Sequence, residues 1–137
     1  MRRILPAIFF VALTVLSCRR PSGEEHFVRG DGPYTFEIDF GDSLAVYDID
    51  FYTVVDSPDG PAETPLLVRW SKDTVVFTER VFLPLEGEGR YSREIRAPYR
   101  HGVTMADPGT WHIDVSVEDS VPGLRGMGIA VRRDGSR

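Results

Sequence analysis

With 137 residues, 42% of them hydrophobic and 27% charged, the chain has the make-up of one folded domain. Wholesale disorder and a multidomain organisation are both excluded at that size and composition. All 21 acidic residues follow Cys18, whereas Arg2 and Arg3 precede it, so the chain from Cys18 onward carries 14 basic against 21 acidic side chains, a formal −7. That surplus repels phosphate backbones and argues against nucleic acid as a partner.

The amino terminus carries the most specific signal. Arg2 and Arg3 form a basic start, and Ile4 to Leu16 is an apolar run of 13 residues. Such a run fits the roughly 7–15 residues of a secretory signal and is short of the roughly 18–20 needed to cross a bilayer. Val15-Leu16-Ser17-Cys18 follows, and it resembles a bacterial lipobox. The spacing suits the chemistry, because the Cys18 thiol is the nucleophile that accepts diacylglycerol. Small Ser17 lets a peptidase reach the bond to be cut, and the freed amine of Cys18 then takes a fatty acyl chain such as palmitate. Each buried methylene contributes about 0.8 kcal/mol, so two or three chains anchor durably where one does not. Val and Ser stand where the commonest form of the motif has Leu and Ala or Gly. Cys18 is the only cysteine in the chain, and an ordinary signal peptide would leave its thiol without a role. The sequence therefore predicts a signal peptide over residues 1–17 and lipidation at Cys18.

Residues 18–32, rich in Gly, Pro and charge, read as a lipidated flexible tether. Arg19 rather than aspartate follows the cysteine, which argues against inner-membrane retention and for the outer membrane. Either face of that membrane, periplasmic or external, remains open.

From residue 33 to residue 133 the pattern is short β-rich segments between turn residues. Tyr34–Phe40 alternates strictly between apolar and polar side chains, the mark of a half-buried strand. Gly41-Asp42-Ser43 is a turn, and Leu44–Val55 reads as a longer strand. In it Asp48 and Asp50 alternate with Tyr47, Ile49 and Phe51. Asp56–Pro65 holds three prolines and a glycine and reads as a loop. Leu66–Ser71 and Thr74–Leu85 read as strands joined across Lys72-Asp73. Arg90–Ile95 is a short strand, and Ala97–Ala106 is ambiguous, a strand broken around His101-Gly102. Asp107-Pro108-Gly109 is a turn before Trp111–Val117, with Trp111, Ile113, Val115 and Val117 facing inward. Met127–Arg132 is the last strand, and residues 134–137 form a tail. No window has sustained helical periodicity. The expected fold is all-β, a single antiparallel β-sandwich of about seven or eight strands.

Several of these residues also carry a family resemblance. The lipobox, Tyr47, Val54-Val55 running into a Pro-rich loop, Asp73-Thr74, Pro108-Gly109-Thr110-Trp111 and Leu124-Arg125-Gly126-Met127-Gly128-Ile129 occur in that order. Over roughly residues 30–133 the chain resembles the gliding-motility lipoprotein GldH family of the Bacteroidetes. Two features depart from the family pattern. Glu118-Asp119-Ser120 occupies the region of its methionine–arginine pair, and Glu63-Thr64-Pro65-Leu66 replaces an aromatic–proline–aromatic stretch. The resemblance implies an outer-membrane lipoprotein of the gliding and secretion machinery, without enzymatic activity. Non-gliding relatives carry such proteins too, so motility does not follow from the family.

Residue chemistry for catalysis is sparse. Cys18 is consumed by lipid, and no Gly-x-Ser-x-Gly elbow occurs. His26, His101 and His112 lack metal-ligand spacing, and His112 falls on the outward face of its strand. Asp48 and Asp50 lie about 7 Å apart on one strand face, a spacing open to acid–base work but also to a plain solvated face. Asp56-Ser57-Pro58-Asp59-Gly60 offers oxygens without the density of a calcium loop. Trp70, Trp111 and Tyr99 are the candidate contact residues for a ligand or partner. Each tryptophan alternates with apolar neighbours and suits a core equally well. The expectation is a membrane-anchored, non-enzymatic interaction component with no cofactor and no metal, whose partners are the membrane and other envelope proteins. The alternative is a surface glycan-binding sandwich, for which exposed coplanar rings would be needed.

Overall fold

The computed structural model describes residues 23–41, 43–57, 60–85 and 93–133. The signal peptide, Cys18 and the tail lie outside them. Eight strands run in chain order: β1 (Gly23–Arg29), β2 (Tyr34–Phe40), β3 (Tyr47–Val55), β4 (Glu63–Lys72), β5 (Val75–Pro84), β6 (Arg93–Val103), β7 (Gly109–Val117) and β8 (Leu124–Arg133). They form two four-stranded sheets, β1-β8-β3-β6 and β2-β7-β4-β5. Every strand pairing among the described residues is antiparallel, and the inner faces share one core, so the fold is the expected β-sandwich.

Alternation in the sequence becomes alternation in burial. Tyr34, Phe36, Ile38 and Phe40 of β2 are buried while Thr35, Glu37 and Asp39 are exposed. Trp111, Ile113 and Val115 of β7 point into the same core, as do Leu66, Val68 and Trp70 of β4. Sheet β1-β8-β3-β6 answers with Tyr47, Ile49, Phe51, Met127, Ile129 and Val131. Burial of a Phe, Ile or Leu side chain stabilises the fold by about 1.5–3 kcal/mol, so this shared core is the main source of stability.

Three expectations change. The first concerns residues read as tether: Gly23–Arg29 is β1, registered residue for residue from Gly23 opposite Arg132 to Arg29 opposite Gly126. Its apolar signal is weak because only Val28 packs on the core. The strand is held instead by its backbone ladder, by an Arg96–Glu25 hydrogen bond of 2.8 Å, and by Phe27 on the outer face. The expected flexible tether therefore does not extend over Gly23–Arg29. Secondly, the predicted breaks around Ile95 and His101 do not divide the chain, since β6 runs unbroken from Arg93 to Val103. Two register shifts against β3 absorb the irregularity, and Gly102 takes a left-handed φ of 64°. Thirdly, β3 begins at Tyr47 rather than Leu44, because Ser43 and Leu44 belong to the turn before it.

Gly128 has a specific packing reason. It lies opposite Phe27 on one side and Tyr52 on the other. Those rings stack over it, 5.7 Å apart and inclined by 21°. A Cβ at position 128 would come within 2.6 Å of both Cε atoms of Tyr52. Glycine is the residue that lets the two rings meet across β8.

The strands alternate in direction, so each end of the sandwich has its own set of loops. One end carries the start of β1, the β2–β3 and β6–β7 loops, the β4–β5 turn and the end of β8; we call it the tether pole. At the far pole lie the end of β5, the start of β6 and the connections β1–β2, β3–β4 and β7–β8.

Candidate functional site

The aromatic residues singled out in the sequence come together, but inside the protein. Trp70 and Trp111 are each only 4% exposed. Their rings meet edge-on at 5.8 Å, and Phe40 lies 5.8 Å from Trp70 on another side. Tyr99 packs on Phe51 at 4.5 Å, and its hydroxyl oxygen accepts a 2.8 Å hydrogen bond from Trp70 Nε1. Burial raises the Tyr99 hydroxyl from 10 to about 12, partly opposed by the Trp70 hydrogen bond and by the Arg100 guanidinium. The Trp111 Nε1–H donates to the Asp107 carbonyl at 2.9 Å. Trp70 and Trp111 are thus core groups, and Tyr99 is a half-buried residue packed against that core. They offer no flat exposed platform for a sugar, because their faces are spent on one another.

The polar candidates are also satisfied locally. Asp48 Oδ1 accepts from Gly102 N–H at 2.8 Å and lies 2.8 Å from His101 Nδ1. Arg132 bridges the two carboxylates, 3.9 Å from Asp48 and 3.8 Å from Asp50. The face read as solvated carries a half-buried pair of carboxylates in an ionic cluster. His112 stands on the outer face 3.7 Å from Glu37, and His26 lies 2.9 Å from Glu24. In the Asp56–Gly60 segment, Asp56 pairs with Arg125, while residues 58 and 59 lie outside the described residues. Among the described residues no three His, Cys, Asp or Glu side chains cluster to hold a metal.

The surface feature that stands out is β5, which the sequence reading placed as a strand without assigning it a role. It is ten residues long and, among the described residues, pairs only with β4, which leaves it an edge strand of its sheet. Val75 is 43% exposed, Val76 49%, Phe77 44% and Phe82 59%. On the outer face Val76 lies opposite Ser71 and Phe82 opposite Pro65, with Thr78 and Arg80 between them, whereas Val75 and Phe77 lie on the inner face. The inner face is exposed because burial falls along the strand: Leu83 is deeply buried, Val81 half-buried and Phe77 open. Trp70 stacks behind Phe77 at 5.6 Å and 12°, so the exposed ring is a continuation of the core. Where β5 meets β6, Arg100 reaches over to Glu79 and closes the gap.

The reason for these exposures is local. Asp73 takes a left-handed φ of 51°, which the two-residue turn Asp73-Thr74 requires, and Lys72 opposite Val75 closes the hairpin. Lys72 is then held by Asp107 at 2.9 Å. The hairpin fixes the register, and the consecutive Val75-Val76-Phe77 puts apolar side chains on both faces at once. That run, which breaks the alternation seen in β2, was the available sequence signal.

This is the arrangement of an all-β domain whose edge strand β5 exposes apolar side chains toward both of its ends, on either side of the charged pair Glu79 and Arg80. No protein-family model matches the chain, and no curated protein matches it.

Proposed function

We propose that this chain is a lipid-anchored, non-enzymatic interaction component of the outer membrane, and that it docks an extended strand of a partner protein along β5. The carrying observation is the β5 edge itself. Native sheets guard their edges with charge, proline or cover; β5 has its charges, Glu79 and Arg80, at mid-strand and its only proline at the very end, leaving Val75, Val76, Phe77 and Phe82 exposed. An added strand would gain a backbone ladder together with apolar contacts on both faces. The lipobox ending at Cys18 supports the anchor, and the resemblance to gliding-motility and secretion-machinery lipoproteins supports the class of partner. Burial of Trp70 and Trp111 weighs against the glycan-binding alternative.

Intact mass of the mature protein tests the anchor. Diacylglycerol and acyl additions on Cys18, absent together with membrane fractionation in Cys18→Ala, are expected; an unmodified cysteine contradicts the anchor. For the edge, Val76→Lys should leave the protein folded and anchored yet weaken capture of its crosslinked partner about tenfold, the equivalent of about 1.4 kcal/mol. Undiminished capture of that partner would rule out β5 as the docking strand.

A further inference from the structure

We infer that the tether pole rests on the bilayer through the β2–β3 loop, with Leu44 as its apolar contact, so that the apolar end of β5 stands at membrane level. This rests on the proposed lipid anchor at Cys18. The first residue of β1 is Gly23, five residues after Cys18. A fully extended chain spans at most about 3.3–3.6 Å per residue, so Gly23 stays within about 18 Å of the lipidated cysteine. A ten-residue strand is about 33 Å long, nearly twice that reach. The protein is therefore short-leashed at one end, and an arrangement with only the far pole on the membrane is out of range.

Within the tether pole, the β2–β3 loop adjoins the leash. Glu24 of β1, Asp39 and Gly41 at the end of β2, Tyr47 and Arg133 line one groove of about 350 Å³. Leu44, in that loop, is 88% exposed, the most exposed of the large apolar side chains among the described residues. The occupant is a lipid surface rather than a partner protein because the leash brings lipid there by covalent geometry. Charge does not drive the contact. Arg132, Arg133 and Lys72 at this pole are matched by Glu24, Asp39, Asp48, Asp73 and Asp107, with Arg132 and Lys72 already in ion pairs. The contact is a shallow apolar one that does not need anionic lipid. The hairpin carrying Asp73-Thr74 shares the pole, so Val75, Val76 and Phe77 begin close to the membrane and Phe82 stands farther from it. A partner strand for β5 must accordingly come from a protein that is itself at the membrane.

The full-length lipidated protein allows a clean test, because its only native cysteine is consumed by lipid. An environment-sensitive fluorophore is placed on Leu44→Cys or, at the far pole, on Asp119→Cys. Each protein is bound to phosphatidylcholine vesicles carrying a headgroup-level quencher, and flotation is recorded on the same samples. The expected result is flotation of both, with blue-shifted, quenched emission from position 44 and unshifted, unquenched emission from position 119. Flotation with equal signals, or with the stronger quenching at 119, overturns the orientation and leaves the anchor standing. Failure to float removes the anchor and this inference with it.

Discussion

Strands β2 and β5 are the two edges of the same sheet, and they are built on opposite plans. In β2 every outward residue is polar, Thr35, Glu37 and Asp39, and every inward one is buried. In β5 the outward Val76 and Phe82 are apolar, and the inward Val75 and Phe77 remain exposed. The first edge is protected from adding a strand, because lengthening the sheet there would bring carboxylates beside the incoming chain. The second has no such guard over Val75-Val76-Phe77. The two edges of one sheet thus differ in their apolar exposure, and that difference is why the proposed partner strand is placed on the β5 side.

The largest effect expected from that contrast concerns stability. Ile38→Ala in β2 should lower the unfolding free energy by about 2–5 kcal/mol, since it deletes a fully buried side chain. Val76→Ala in β5 should stay within about 0.5 kcal/mol, as surface substitutions do. Urea denaturation of both variants measures the gap, and equal losses would mean that Val76 is part of the core after all. A second effect concerns association. Glu37→Val with Asp39→Val would give β2 an apolar edge, and the doubly substituted protein should self-associate with rising concentration in sedimentation velocity. A monomeric double variant would show that exposed apolar residues alone do not make an edge adhesive.

A smaller effect lies under the β5 flank, at Tyr99. Its folded-state hydroxyl is raised from 10 to about 12, first by burial. The neutral form is favoured in the fold, so this contribution to stability is complete below pH 10 and is lost as the pH climbs from 10 to about 12. Tyr99→Phe should flatten the fall of the urea midpoint across that window. Some slope should persist, because burial also raises Tyr34 and Tyr52. Parallel curves for the two proteins would contradict the assignment.

The fold was legible where side chains alternate. Tyr34–Phe40 matches β2 end for end, and Trp111–Val117 lies within β7, because strict period-two burial leaves one reading. Strand β1 was hidden because an edge strand held by its backbone ladder needs little apolar pattern of its own. The packing role of Gly128 was not legible, since Phe27 and Tyr52, which meet over it, are distant in sequence. Of the candidate site, sequence could not separate a buried Trp70 from an exposed one, as both alternate with apolar neighbours. Edge position, which decides what β5 can do, depends on strand order and is invisible to local pattern.

The central claim is that this protein binds through β5. A photo-crosslinking residue at position 76 of the anchored protein, compared with the same residue at position 37, tests it most directly. Crosslinks to a membrane-associated protein at 76, with none at 37, are predicted. Crosslinks at 37 alone, or equal yields at the two edges, would contradict it.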